Sequence, residues 1–582
     1  MSLIDKIKNK VPILNWLPSY KKSNLSGDLS AGITVGIMLI PQGMAYAMLA
    51  GLDPIIGLYS VTVPLILYAI FGTSRQLAVG PVAMVSLLTA AGIGALNPDT
   101  PDDYLMYALT LAFLVGLIQF GMGLFKFGFI VNFLSHPVIN GFTSAAAIII
   151  GLSQIKHLFK IDLPRSEHVH EIVIALFENI SSVHWATFGI GLVGIIIIKF
   201  GKKIHKSLPT PLIAVVFGIL IVWGLDLTNS GVEVLGEVPA GLPTFTTPSF
   251  DMSTWSALLP IAITISMVGF AESFAVAKTI QGKHKDYKLD ANQELIGLGM
   301  ANFGASFFKG YPVTGGFSRT AVNDQSGAKT GLASIFSVIL IVLTLLFFTQ
   351  LFYYLPNSIL AAVVLVAVYG LIDFKTPKKL WKKDRTDFLL LMVTFLATLT
   401  LGIEIGIISG MVLSLGAMIY KASKPHIAKL GQVKDTGVYR NVERFDDLKE
   451  RPELLMTRID GPIYFANVEY IRKKLEGWIQ EKGTDLKMII LNFESVTSLD
   501  SSGAHELEDW INDWKANGVD TCITGAKGPV RDALTAWEIT ACIGDDHVFI
   551  DDASAIDYYD DINVSSIEEL NPYALQSSKK KK

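Results

Sequence analysis

The chain has 582 residues, of which 51 % are hydrophobic and 17 % charged, and its net charge is −4. Mean hydropathy is +0.45, whereas soluble domains carry about 25 % charged residues, so a wholly soluble protein is excluded. The length leaves room for a soluble domain beside a membrane domain. The slightly acidic balance speaks against a nucleic-acid partner, and two cysteines, Cys522 and Cys542, cannot form a disulfide framework.

The chain opens on MSLIDKIKNKVPILNWLPSYKK, basic and without a continuous apolar core, so residues 1–28 read as a cytoplasmic N-terminal segment rather than a signal peptide. About 20 apolar residues span a hydrocarbon core of roughly 30 Å as a helix. Runs of that kind lie near 29–50, 53–71, 105–127, 133–153, 183–201, 209–225, 255–279, 289–308, 331–355, 357–372, 386–402 and 404–421. Two further segments, 79–96 and 313–324, are too short or too interrupted to cross alone. The expectation is a transmembrane domain over 29–421 with fourteen segments, twelve full helices and two half-helices.

Charge tests the count. With both termini inside, the linkers 202–206, 278–288 and 373–385 are cytoplasmic and rich in lysine. The opposite linkers 97–103 and 226–254 hold acids and neither Lys nor Arg, while 154–182 is mixed. Dropping either odd segment would scramble this alternation.

From about residue 437 the pattern changes. VYRNVE, ELLMTRID, PIYFANV, KMIILNF, DTCITGA and HVFI read as strands, with amphipathic helices VEYIRKKLEGWIQ and GAHELEDWINDWKAN between them. A small cytoplasmic α/β domain is expected over 437–562, tethered by a basic linker, 422–436, and followed by a solvated tail, 563–582.

Each odd segment starts on a helix breaker, Gly80-Pro81 or Gly315-Gly316, and each is third in its set of seven. An odd number of crossings per half makes the halves an inverted repeat. Interrupted helices at matching positions in such repeats point to a midplane transport site. Helix N-termini carry unpaired N–H groups and about half a positive charge, so two of them facing each other suit an anion. Arg319, directly behind the second breaker, adds a full charge, and an unpaired arginine in lipid costs at least about 2.5–3.5 kcal/mol. Glu272, in SMVGFAESFAVAK, falls mid-span, where carboxylates mark proton or cation pathways or neutralise a neighbouring arginine. GIGLVG (189–194) lies inside a spanning helix and is read as packing, and His168 with His170 is too little for a metal site. No cofactor or metal is expected.

The stretches IPQGMAYAMLAGLDPIIGLYS (40–60), SRQLAVGPVAMVSLL (74–88), LDANQELIGLGMANFGASF (289–307) and GGFSRTAVN (315–323) resemble the sulfate permease (SulP) family of anion transporters. VTSLDSSGAHELEDW (496–510) resembles the STAS domain that follows the membrane part in that family. The resemblance implies a core domain (segments 1–4 and 8–11) moving against a gate domain (5–7 and 12–14) like an elevator, in a homodimer. It implies an anion pocket of Gln42, Tyr46, Ala83, Met84, Phe317, Ser318 and Arg319. Glu272 stands at the acidic position of proton-coupled relatives, favouring H⁺ over Na⁺. In bacterial relatives of the STAS domain the serine after the aspartate of D-S-S-G is phosphorylated, which makes Ser501 a candidate phosphosite; the same four residues also make a good helix cap.

The expected function is therefore sulfate:H⁺ symport in a plasma (bacterial inner) membrane, with no enzymatic activity. The alternatives are a Na⁺- or H⁺-coupled bicarbonate or dicarboxylate transporter, an exchanger or channel of the same fold, and a membrane sensor signalling through the STAS domain.

Overall fold

The computed structural model describes residues 10–129, 135–161, 169–204, 209–284, 286–434 and 436–560. The chain divides into two compact units, Met1–Ser414 and Leu415–Lys582.

The first unit is helical. Its segments are α1 Lys22–Leu49, α2 Pro54–Phe71 with a break after Tyr59, α3 Ala83–Gly94, α4 Pro101–Leu124 and α5 His136–Phe159. Next come α6 Trp185–Ile204, α7 Thr210–Gly224, α8 Met252–Gln281, α9 Ala291–Phe307 and α10 Phe317–Gln325. The last are α11 Leu332–Phe352, α12 Asn357–Tyr369, α13 Arg385–Leu401 and α14 Ile403–Ser423, within which the boundary between the units falls. Local chemistry sets many of these starts. Proline opens α2, α4, α5 and α7, where its missing N–H costs nothing. Thr100, Asp251, Asp290 and Asp384 accept first-turn N–H groups of α4, α8, α9 and α13.

All fourteen segments expected from the sequence are helical, but twelve full spans is a correction. Among the described residues, six helices (α1, α2, α4, α5, α8 and α11) are long and apolar enough to cross a membrane. A seventh arises if α6 is joined to the preceding helix, from which it is bent by 120°. α7 and α12 are short helices that each begin just after a proline, Pro209 or Pro356. At the start of α12 the chain pairs with a crossing loop, Leu235 N–H donating to Leu355 O at 2.9 Å and Asn357 N–H to Glu233 O at 3.1 Å.

The helix contacts come in exchanged pairs, as an inverted repeat of seven plus seven requires. α1 packs on α11 and α8 on α4; α1 packs on α10 and α8 on α3; α5 packs on α13 and α12 on α6. Segments α1–α4 and α8–α11 form one packed group. α5–α7, α12 and α13 form the other, and α14 joins it through Gly410 against Val138 and Thr394.

The second unit is a six-stranded sheet, ordered β4-β3-β5-β6-β7-β8: β3 His426–Gln432, β4 Tyr439–Asn441, β5 Leu454–Asp460, β6 Met488–Asn492, β7 Asp520–Thr524 and β8 Val548–Phe549. β5 to β8 run parallel, and β3 is antiparallel to both its neighbours. Helices α15 Val468–Lys482, α16 Ser501–Ala516 and α17 Gly528–Ala536 cover one face, where Leu475, Trp510 and Leu534 meet Ile459, Ile489 and Ile523. α18 Asp552–Asp560 covers the other, with Ile556 against Met456, Ile490 and Cys522.

Two expectations fail in this unit. Residues 422–436 are not a simple tether, since β3 lies inside them and pairs with β5. PIYFANV is not a strand beyond one bridge, Ile463 to Leu499. The Asn467 side chain bonds Tyr464 N–H (3.0 Å) and Pro462 O (2.8 Å), closing a loop there instead. The tail 563–582 and His168 lie outside the described residues.

Candidate functional site

The two breakers do more than stop helices. Val79–Gly80 (β1) and Thr314–Gly315 (β2) pair antiparallel, Val79 opposite Gly315 and Gly80 opposite Thr314. α3 and α10 start immediately after these strands, and no side chain caps either helix. Their first-turn N–H groups are therefore left for something else. Ala83 and Met84 are the first two residues of α3, and both are buried. Phe317 and Ser318 are the first two of α10, and both are exposed, Phe317 at 57 %.

Arg319 follows on α10 at 2 % exposure. Its Nη1 donates to Pro81 O at 2.5 Å, joining α10 to the turn before α3. Its Nε and Nη2 are buried without a hydrogen-bond partner among the described residues. Two orphaned nitrogens, with three N–H donors between them, on one buried guanidinium are costly unless a ligand takes them. Glycine makes the room: a Cβ on Gly316 would stand 2.8 Å from Nη2, and one on Gly80 3.4 Å from it. Gly80 also holds φ +149°, which side-chain-bearing residues rarely adopt.

The electrostatic neighbours of Arg319 are Tyr46, Tyr311 and Glu272. Tyr46 comes from α1, with Gln42 one turn earlier on the same face, and both are buried. Glu272, on α8, has a buried Oε2 with no hydrogen-bond partner among the described residues. The structure thus gathers Tyr46 and Glu272 around Arg319, whose bond to Pro81 O ties it to the turn before Ala83 and Met84, while Phe317 and Ser318 directly precede it on α10 with exposed side chains. Ser501 is separate: it is exposed at the first position of α16, where Asp500 accepts Gly503 N–H at 2.7 Å as the cap.

Three supports were missed from the sequence. Asn302 of α9 grips Val313, the residue before β2, accepting from its N–H (2.8 Å) and donating to its carbonyl (3.1 Å). Ser273, next to Glu272, accepts Gly315 N–H at 2.7 Å and meets the Thr314 hydroxyl at 2.6 Å. Tyr311, fully buried, pairs with Ser86 of α3 at 2.9 Å. A polar residue in an apolar helix looks the same in sequence whether it packs or holds a site; AESFAVAK and MANFG gave no further signal.

Comparison with known proteins gives this arrangement a lineage. The model of the sulfate permease family matches residues 25–394. The chain belongs to the sulfate permease family. A STAS domain matches residues 447–553. Sulfate transporter 4.1, chloroplastic, of Arabidopsis thaliana is 39 % identical over 569 residues, covering 94 % of this chain and 82 % of that protein. High affinity sulfate transporter 2 of Stylosanthes hamata is 33 % identical, covering 94 % and 86 %. The murine Solute Carrier 26 family member A9 anion transporter, solved in the inward-facing state, superposes with TM-score 0.89 at 27 % identity, over 96 % of this chain and 95 % of that one. The chain is therefore an integral membrane protein with that family's helical fold and a STAS domain, and its family is one of transporters, not of enzymes.

Proposed function

We propose that the chain is a secondary active anion transporter that carries sulfate with H⁺. The observation that carries the reading is Arg319: two buried nitrogens without hydrogen-bond partners among the described residues, beside two helix N-termini that no side chain caps. Hydrogen bonds from such groups to an oxyanion are charge-assisted, and sulfate offers oxygens in several directions. The names of the plant relatives support sulfate over bicarbonate or a dicarboxylate.

In this reading Gln42 and Tyr46 close the pocket from α1. Ala83, Met84, Phe317 and Ser318 offer their backbone N–H groups, and Arg319 supplies the charge. Glu272 takes the coupling proton when the bound anion offsets the charge of Arg319, which on its own favours the ionised carboxylate. The group α1–α4 with α8–α11 moves as the core against the gate, an elevator, in a homodimer. The termini and the STAS domain (437–562) lie on the cytoplasmic side of a plasma membrane, which the lysine-rich linkers support. A channel reading is weaker, since coupling chemistry is present at Glu272. Asp500's capping of α16 gives Ser501 a structural setting without regulation, and phosphorylation there stays secondary to transport.

The test is sulfate binding to the purified protein by calorimetry, with Arg319→Gln beside the native chain. Saturable binding lost in the variant supports the site; equal binding by both would overturn it.

A further inference from the structure

Between α12 and α13 runs a short helix, Lys375–Lys383, with sequence KTPKKLWKK and five lysines. Residues 370–374 connect it to α12 and Asp384 alone to α13, against which it packs, so it stays beside the end of a membrane segment. Asp373 fixes its start, accepting Lys375 N–H (2.8 Å) and Thr376 N–H (3.1 Å), and itself holds Asn140 of α5 (2.8 Å).

At about 100° per residue, Lys375, Lys378, Lys379, Lys382 and Lys383 fall on one arc, and Thr376, Pro377 and Leu380 on the opposite one. The second arc is half-buried and the lysines are exposed. On the flank between the arcs stand Phe374, 72 % exposed, and Trp381, 57 % exposed. None of the five lysines forms an ion pair among the described residues. Arg385, at the start of α13, stacks over Trp381 with 5.8 Å to the ring centre and extends the cationic surface.

We propose that this helix is a docking surface for anionic phospholipid headgroups of the leaflet it borders. Five unpaired cations match phosphate in charge. The two exposed aromatics suit the level of the headgroups, where one side of a ring is wet and the other apolar. The lysine stems lie along the apolar boundary while their ammonium groups reach the phosphates. A protein partner fits less well, since the helix cannot lift away from the bilayer to meet it. The surface ties the gate-side helices to the bilayer through α12 and α13.

The test uses the full-length protein in vesicles carrying spin-labelled phosphatidylglycerol or phosphatidylcholine. Electron spin resonance reports the fraction of each lipid immobilised at the protein. The native chain is expected to select phosphatidylglycerol by roughly threefold or more, and added salt should erode the preference. A variant carrying Lys375→Gln, Lys378→Gln, Lys379→Gln, Lys382→Gln and Lys383→Gln should show a ratio near one. Glutamine keeps helix propensity, so melting in neutral detergent should be unchanged. Equal selectivity in native and variant chains, or none in either, would overturn the proposal. So would a lower melting temperature of the variant in neutral detergent, because the lysines would then serve contacts within the protein.

Discussion

Gly316→Ala isolates the placement of Arg319 from the stability of the fold. Gly316 holds φ −96° and ψ 128°, a conformation alanine adopts freely, so the backbone is not strained. The added Cβ would meet Nη2 at 2.8 Å, Cζ at 3.0 Å and Nε at 3.1 Å. Carbon contacts relax to about 3.5–4.0 Å, so the guanidinium must retreat by roughly half an ångström or more. The clash falls on Nη2 and Nε rather than on Nη1, which bonds Pro81 O, so the retreat withdraws the two open nitrogens from the pocket. One hydrogen bond to a charged group is worth about 1.5–3 kcal/mol, and each 1.4 kcal/mol is tenfold. Sulfate affinity should therefore fall by about 10- to 100-fold, while the melting temperature without sulfate stays close to native. Calorimetric titration and melting of the same preparations give both numbers. Native affinity in Gly316→Ala would refute the claim that the guanidinium's position sets binding.

Asn302→Leu should lower the melting temperature and weaken transport together, because it strands the N–H and carbonyl of Val313, at about 1–3 kcal/mol per buried group; Asn302→Asp, which keeps the acceptor, should be milder. In the STAS domain, burial alone would lower the His547 pKa, but hydrogen bonds from both ring nitrogens to Asp520 and Asp546 outweigh it and raise it above the usual value. A raised folded pKa stabilises below the ordinary value near 6.5 and is lost as pH rises through the folded value. Hydrogen exchange of residues 520–524 and 548–549 should therefore quicken as pH rises through that window, after correction for the intrinsic rate, and His547→Gln should flatten the trend. Asp500→Ala removes the cap on α16 and a bond to Phe465 N–H, and should cost about 1 kcal/mol of local stability by the same exchange method.

The membrane segments were legible because spanning a bilayer forces long apolar runs, and the half-helices because Gly80-Pro81 and Gly315-Gly316 interrupt such runs. Segment lengths were less legible, since hydropathy does not separate a short helix from the apolar residues that follow it, as after Tyr369, where α12 ends and Leu371 and Ile372 continue the run. The β1–β2 pairing was invisible: two residues per strand carry no alternation, and their register depends on contacts far apart in sequence. Asn302 and Tyr311 were missed because their main partners are a backbone peptide and one buried hydroxyl. β3 was hidden by charge, with Lys429 inside a strand and paired across to Glu450 at 3.2 Å. PIYFANV misled in the opposite sense, its strand-forming residues overruled by one asparagine side chain.

The central claim is that an anion bound at Arg319 moves with a proton held by Glu272. The direct measurement is uptake of labelled sulfate into proteoliposomes under an inward H⁺ gradient, an inward Na⁺ gradient, or neither, with Glu272→Gln run in parallel. The account predicts uptake driven by the H⁺ gradient and lost in the variant while sulfate still binds. Gradient-driven uptake that persists undiminished in Glu272→Gln would contradict it.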